Sequence, residues 1–149
     1  MAGCTSFTPV YGDNAVQPME NGTFRFAEPK SRLDQIVYQD VKLKLGISKA
    51  SNAPLVGIVT TSDTRDLTKS DVARPNEQHE AVVSAEITIT SAAGTVVFHT
   101  TRSASAVYTT DTQGLADTQA QQAAEEQAAQ ELAETVRLTL ISSMVLKSS

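Results

Sequence analysis

The residues able to do chemistry are few and scattered. His79 and His99 are the only histidines and Cys4 is the only cysteine, and no Ser-His-Asp or Cys-His set accompanies them. His99, on an expected strand, has Glu86 and Thr88 nearby. They supply at most two good metal ligands where a zinc site needs three or four, so a structural or partner-facing role is expected for His99. His79 reads as part of a polar loop. Asp63, Asp66 and Asp71 lack both the spacing and the central glycine of a calcium loop, and read as solvated. No glycine-rich phosphate cradle precedes a helix, and Asn21-Gly22-Thr23 is a glycosylation sequon in form alone. The inventory points to a binding or scaffolding module, not an enzyme, with no metal and no cofactor.

Cys4 has one further use. A single cysteine cannot form an internal disulfide, and no histidine lies beside it to activate the thiol. Met1-Ala2-Gly3-Cys4 is similar to the end of a bacterial lipobox, whose cysteine is lipidated and becomes the mature N-terminus. The charged and apolar segments of a signal peptide do not precede it, so the sequence reads as trimmed to that site. Taken alone, the same four residues are equally a start methionine followed by a surface cysteine.

The elements that must position these residues follow from composition and pattern. The 149 residues suffice for one domain with one core. Aromatics are 5% with no Trp, so the core must be built from Val, Ile, Leu and Ala. Residues 1–75 hold 9 basic and 8 acidic side chains, against 3 and 9 in residues 76–149. That balance excludes a nucleic-acid partner, which demands clustered Lys and Arg. No apolar run approaches the roughly 20 residues that span a bilayer.

Residues 1–22, with Pro9, Gly12, Asp13, Asn14 and Pro18, read as a tether, and residues 23–149 as a single α/β domain. Thr23–Phe26 alternates as a short strand closed by Pro29. Ser31-Arg32-Leu33-Asp34 is a variant capping box that opens a helix over 31–45. Its apolar face is Leu33, Ile36, Val37, Val41 and Leu45, and Gly46 ends it. Leu55–Thr61 reads as a buried strand and residues 62–79 as a long loop. From Glu80 the alternation is strict, with Ala81, Val83, Ala85, Ile87 and Ile89 on the covered side. A turn at Ala93-Gly94 would return the chain as a strand over Thr95–Tyr108, pairing Ile89 with Phe98, Ile87 with Thr100 and Ala85 with Arg102. Arg102 would then face the covered side, which requires either a position at the sheet end or a bulge. Leu115 to Met144 reads as a long helix striped by Ala128, Leu132, Val136, Leu140 and Met144, capped by Thr110 with Gln113 or by Thr118 with Gln121. The sum is an α+β two-layer sandwich of order β-α-β-β-β-α, with two helices on one face of a four-stranded mixed sheet. The other face carries Ser84, Glu86, Thr88, His99, Thr101 and Ser103, and is expected to meet a partner.

Cys4 followed by Phe7-Thr8-Pro9-Val10-Tyr11-Gly12, then Ser31-Arg32-Leu33-Asp34, then Leu132-Ala133-Glu134-Thr135-Val136-Arg137-Leu138, resembles the LPS-assembly lipoprotein family LptE in its alphaproteobacterial form. The F-x-P-x-Y-G stretch is the most specific part, and the helix motifs are generic. The resemblance favours the lipobox and implies a palmitoylated lipoprotein on the periplasmic face of the outer membrane. There it would plug and stabilise an LptD-type β-barrel and contact lipopolysaccharide. Thr5, in place of Asp after the cysteine, fits the enterobacterial pattern for outer-membrane sorting. Arg65, Lys69 and Arg74 of the 62–79 stretch, and separately Arg102, are the cations placed to meet the phosphorylated head of the glycolipid. The runner-up is an auxiliary lipoprotein of another envelope lipid-transport system.

Overall fold

In the computed structural model, residues 22–68, 76–111 and 114–147 are described. Cys4, the remainder of the expected tether before Gly22, and Lys69 and Arg74 lie outside them. The elements are β1 (Arg25–Phe26), α1 (Arg32–Leu45), β2 (Leu55–Asp66), β3 (Glu77–Thr90), β4 (Val96–Thr110) and α2 (Gly114–Lys147). They form the expected order, in a four-stranded mixed sheet β1-β2-β3-β4 with β1 parallel to β2 and the other pairs antiparallel.

The start of α1 is fixed by its sequence. Ser31 Oγ accepts the Asp34 amide at 3.0 Å, and Asp34 Oδ2 accepts the Ser31 amide at 3.0 Å, so two helix-end donors are satisfied reciprocally. The other oxygen of Asp34 accepts the amide of Thr60 at 2.7 Å and its hydroxyl at 2.6 Å, which joins the helix start to β2. Burial alone would raise the pKa of this carboxyl. The bonds from Thr60, Lys30 and Ser31 outweigh it and hold the group below the ordinary 3.8. At the other end Gly46 adopts φ 70° and its amide returns to the Lys42 carbonyl at 2.8 Å.

The core lies between the helices and one sheet face. Val37 and Val41 of α1, Val56 of β2, and Ala81, Val83, Ala85 and Ile87 of β3 meet Ala128, Leu132, Val136 and Leu140 of α2. Alanines along α2 let its backbone approach the sheet, and its 34 residues make a rod of about 51 Å at ~1.5 Å each. That length matches β3, whose 14 residues reach about 48 Å at ~3.4 Å each. The helices are also tied directly. Arg137 and, behind it, Lys44 donate to Glu134, and their hydrogen bonds lower its pKa to about 2. Arg32 of α1 pairs with Glu126 of α2.

Four sequence expectations need correction. The first strand is only Arg25–Phe26, because only these residues find partners, at Leu55 and Val56. The 62–79 stretch is not a long loop: β2 continues through Asp66 and β3 begins at Glu77. Ser62, Thr64 and Asp66 are polar and exposed, yet they pair with Val83, Ala81 and His79, because the backbone groups along that edge of β3 require a ladder partner. The β3–β4 connection is longer than Ala93-Gly94. Ser91 and Thr95 close it by an N–H···O bond of 2.8 Å, and Val97 bulges because Ile89 pairs with Phe98 while Thr90 pairs with Val96. Finally, Thr110 belongs to β4 and Thr118 to the body of α2, bonding back to the Gly114 carbonyl, so neither is a described cap. Gln113 lies outside the described residues.

The predicted pairs Ile89 with Phe98, Ile87 with Thr100 and Ala85 with Arg102 are all present. Arg102 is therefore on the helix-covered side, but β4 is an edge strand, so its side chain stays exposed while its Nε reaches Thr139 of α2. The bulge lies at Val97 and does not turn it.

Candidate functional site

The face of β2, β3 and β4 turned away from the helices has no layer over it among the described residues. Its register sets Thr88 opposite His99, Glu86 opposite Thr101, and Ser84 opposite Ser103. The six residues expected on this face are thus one contiguous patch. His99 Nε2 and Glu86 Oε1 are 2.9 Å apart, with both side chains more than half exposed. This is a surface cross-strand pair, worth little to stability, and it leaves both groups available to a partner.

The patch is larger than the sequence suggested. Antiparallel pairing to β2 adds Val59 beside Glu86, Thr61 beside Ser84, Asp63 beside Val82 and Arg65 beside Glu80. β4 adds Ser105, whose hydroxyl donates to Glu80 at 2.7 Å, and Val107. Val59 and Val107 are 56% and 58% exposed, so two apolar contacts stand within a hydroxyl-rich field. Asp63 and Arg65 were hidden because Ser62–Asp66 carries no apolar alternation, and Val59 and Thr61 because their strand read as buried on both faces.

The cations separate. Arg65 lies on the open face, whereas Arg102 lies on the helix side, where its Nε donates to Thr139 Oγ1 at 3.3 Å and its Nη1 to Thr100 Oγ1 at 3.1 Å. The two cannot grip one phosphate together. His79 also departs from expectation. It opens β3 on the helix side, stacks on Tyr108 at 5.3 Å, and places its ring nitrogens 2.7 Å from Asp66 and 2.9 Å from Thr110. Both nitrogens are used in a clasp across β2, β3 and β4.

A second feature lies at the β1 end of the sheet, where an open cavity of about 740 Å³ is walled by Phe24, Ile89, Phe98 and Met144. None of its lining residues is titratable. Among the described residues no group of three or more His, Cys, Asp or Glu side chains could hold a metal, and no helix is long and apolar enough to cross a membrane.

This architecture is found elsewhere. The fold recurs in bacterial lipoproteins. A chain of Caulobacter crescentus CB15 assigned as a lipoprotein superposes with a TM-score of 0.62 at 20% identity, over 83% of this chain and 91% of that one. Rare lipoprotein B from Shewanella oneidensis gives 0.64 at 13% identity, over 85% and 97%. A minor lipoprotein from Acinetobacter baumannii gives 0.60 at 12% identity, over 82% and 94%. No family model and no curated protein matches the sequence. At these identities the likeness is one of fold.

Proposed function

We propose that this protein is a lipid-anchored, non-enzymatic lipoprotein of the LptE type, held by Cys4 at the periplasmic face of the outer membrane. There it docks inside an LptD-type β-barrel and contacts lipopolysaccharide. The observation that carries the reading is the open sheet face: a long three-strand surface rich in Ser, Thr, His and Glu, backed by a helical layer. A barrel lumen is polar and lined by alternate side chains of its strands, and such a wall is met well by short hydroxyl side chains that both donate and accept. The fold shared with three bacterial lipoproteins and the lipobox-like Ala2-Gly3-Cys4 support the same reading.

Substituting both Thr88→Asp and Thr101→Asp tests it. Thr101 is exposed and Thr88 half-buried at the surface, so the isolated chain should keep its fold by circular dichroism. The added charges should abolish co-purification with an outer-membrane barrel, because a buried unpaired carboxylate is costly. Retained binding at wild-type strength would exclude docking through this face. Recovery with an inner-membrane ATPase system instead would assign the protein to another lipid-transport machinery.

A further inference from the structure

The apolar cavity lies where the described chain begins. The Gly22 amide donates to the Leu45 carbonyl at 3.3 Å, and a Cβ at Gly22 would stand 2.6 Å from the Ile47 carbonyl oxygen, so the chain passes tightly here and only glycine fits. The next two residues, Thr23 and Phe24, line the cavity. Its walls are Phe24, Ile89, Phe98 and Met144, and its rim includes Val97 and Leu146, which are 53% and 77% exposed. The lining residues that carry a side-chain hydrogen-bonding group are Thr23 and Ser143, both hydroxyls.

The sequence upstream of Gly22 holds a complementary segment. Phe and Tyr total seven in the chain. Phe24, Phe26, Phe98 and Tyr108 belong to or pack on the core, and Tyr38 meets Phe26 edge-on at 6.0 Å. The other two, Phe7 and Tyr11, sit within five residues together with Pro9 and Val10. We propose that Phe7–Tyr11 is the occupant of this cavity, with its aromatic side chains against Phe24 and Phe98. Residues 12–21 intervene. Ten residues reach at most about 35 Å, enough to fold back into a cavity whose wall begins at Thr23. Closure is intramolecular, so weak contacts suffice. The phenol of Tyr11 requires a polar partner when buried, and Thr23 and Ser143 offer hydroxyls.

The seating does not depend on the proposed function, but it has a consequence for it. Cys4 is three residues before Phe7, so a lipid on Cys4 would be held beside the exposed Val97 and Leu146 instead of at the end of a free tether. The domain would meet the leaflet in one orientation.

The chain contains no Trp, so Phe7→Trp in the full, unlipidated chain introduces a single reporter. Docking predicts blue-shifted indole emission shielded from iodide. Adding Val97→Asp with Leu146→Asp, both at exposed positions, should move the emission to the red and restore quenching, with the circular dichroism unchanged. A water-exposed indole in the parent, or a shielded one indifferent to the two rim substitutions, would overturn the proposal. So would binding of a fluorescent sixteen-carbon fatty acid that leaves the indole shielded yet is lost on the rim substitutions, since the cavity would then be an acyl-chain site.

Discussion

One carboxyl oxygen of Asp34 accepts both the amide and the hydroxyl of Thr60, at 2.7 and 2.6 Å, across 26 residues of sequence. The same side chain caps its own helix through the Ser31 amide. Asp34 therefore fixes the position of α1 along β2 as well as where the helix starts, and a purely local capping motif becomes a tertiary one.

The first prediction follows from that pair. Asp34→Ala removes the cap and leaves the Thr60 amide without its acceptor, at a cost of about 2–3 kcal/mol. Asp34→Asn keeps the shape but cannot accept at both oxygens. Because the folded carboxyl titrates below the ordinary 3.8, the unfolded chain binds more protons as acid is added. The Asp34 contribution is therefore fully present above the unfolded value and is lost as pH falls through the folded one. Urea denaturation between pH 3 and 7 should show a shallower acid limb in Asp34→Asn than in the parent. An identical limb would show that other carboxylates carry the acid response.

The second prediction concerns the edge. β4 ends the sheet over 15 residues with no Pro and no Lys, the kind of strand that invites pairing with another chain. Arg102 is its only charged side chain and points to the helix side, opposite the fully buried Ala85. An inward-pointing charge on an edge strand opposes further pairing, since a new strand would bury it. Arg102→Val should leave the monomer at least as stable, because a β-branched residue suits the position. It should also produce concentration-dependent self-association in sedimentation velocity. A variant that stays monomeric at every concentration would assign edge protection to the Val97 bulge instead.

Much of this architecture was legible in the sequence, for identifiable reasons. Helix α1 announced both its ends, through Ser31 with Asp34 and through Gly46, and the Ala81-to-Ile89 alternation gave the covered face of β3. The pairing of Ala85 with Arg102 came from a turn placed at Ala93-Gly94, and it holds because the Val97 bulge offsets the longer connection. The six residues of the open face followed from that register. Ser62 to Asp66 gave no signal, because the strand there is dictated by β3's need for backbone partners and not by side chains. His79 was misplaced with it, as was Arg65, while Val59 and Thr61 were missed because Leu55–Thr61 read as a strand buried on both faces. The cavity was illegible for another reason: Ile89, Phe98 and Met144 come from three separate elements and Phe24 from the segment before β1, and each looks like an ordinary core residue in its own segment.

The last prediction returns to the glycolipid. Arg65 lies on the open face near the end of β2, and Lys69 and Arg74 follow it in sequence before β3, outside the described residues. Guanidinium and ammonium groups bind phosphate by charge-assisted hydrogen bonds, so a site for a phosphorylated head group should weaken when these cations are removed and should lose part of its salt sensitivity. The neighbouring Asp63, Asp66, Asp71 and Glu77 nearly neutralise the stretch, which makes the effect one of local geometry and not of net charge. Replacing Arg65, Lys69 and Arg74 by Ala should reduce lipopolysaccharide affinity in titrations and flatten the difference between low and high salt. Arg102 lies on the opposite side of the sheet, so Arg102→Ala should act independently and its effect should add to that of the triple variant. Unchanged affinity in the triple variant, with loss in Arg102→Ala, would move the head-group site to the β4 edge beside Thr100 and Thr139.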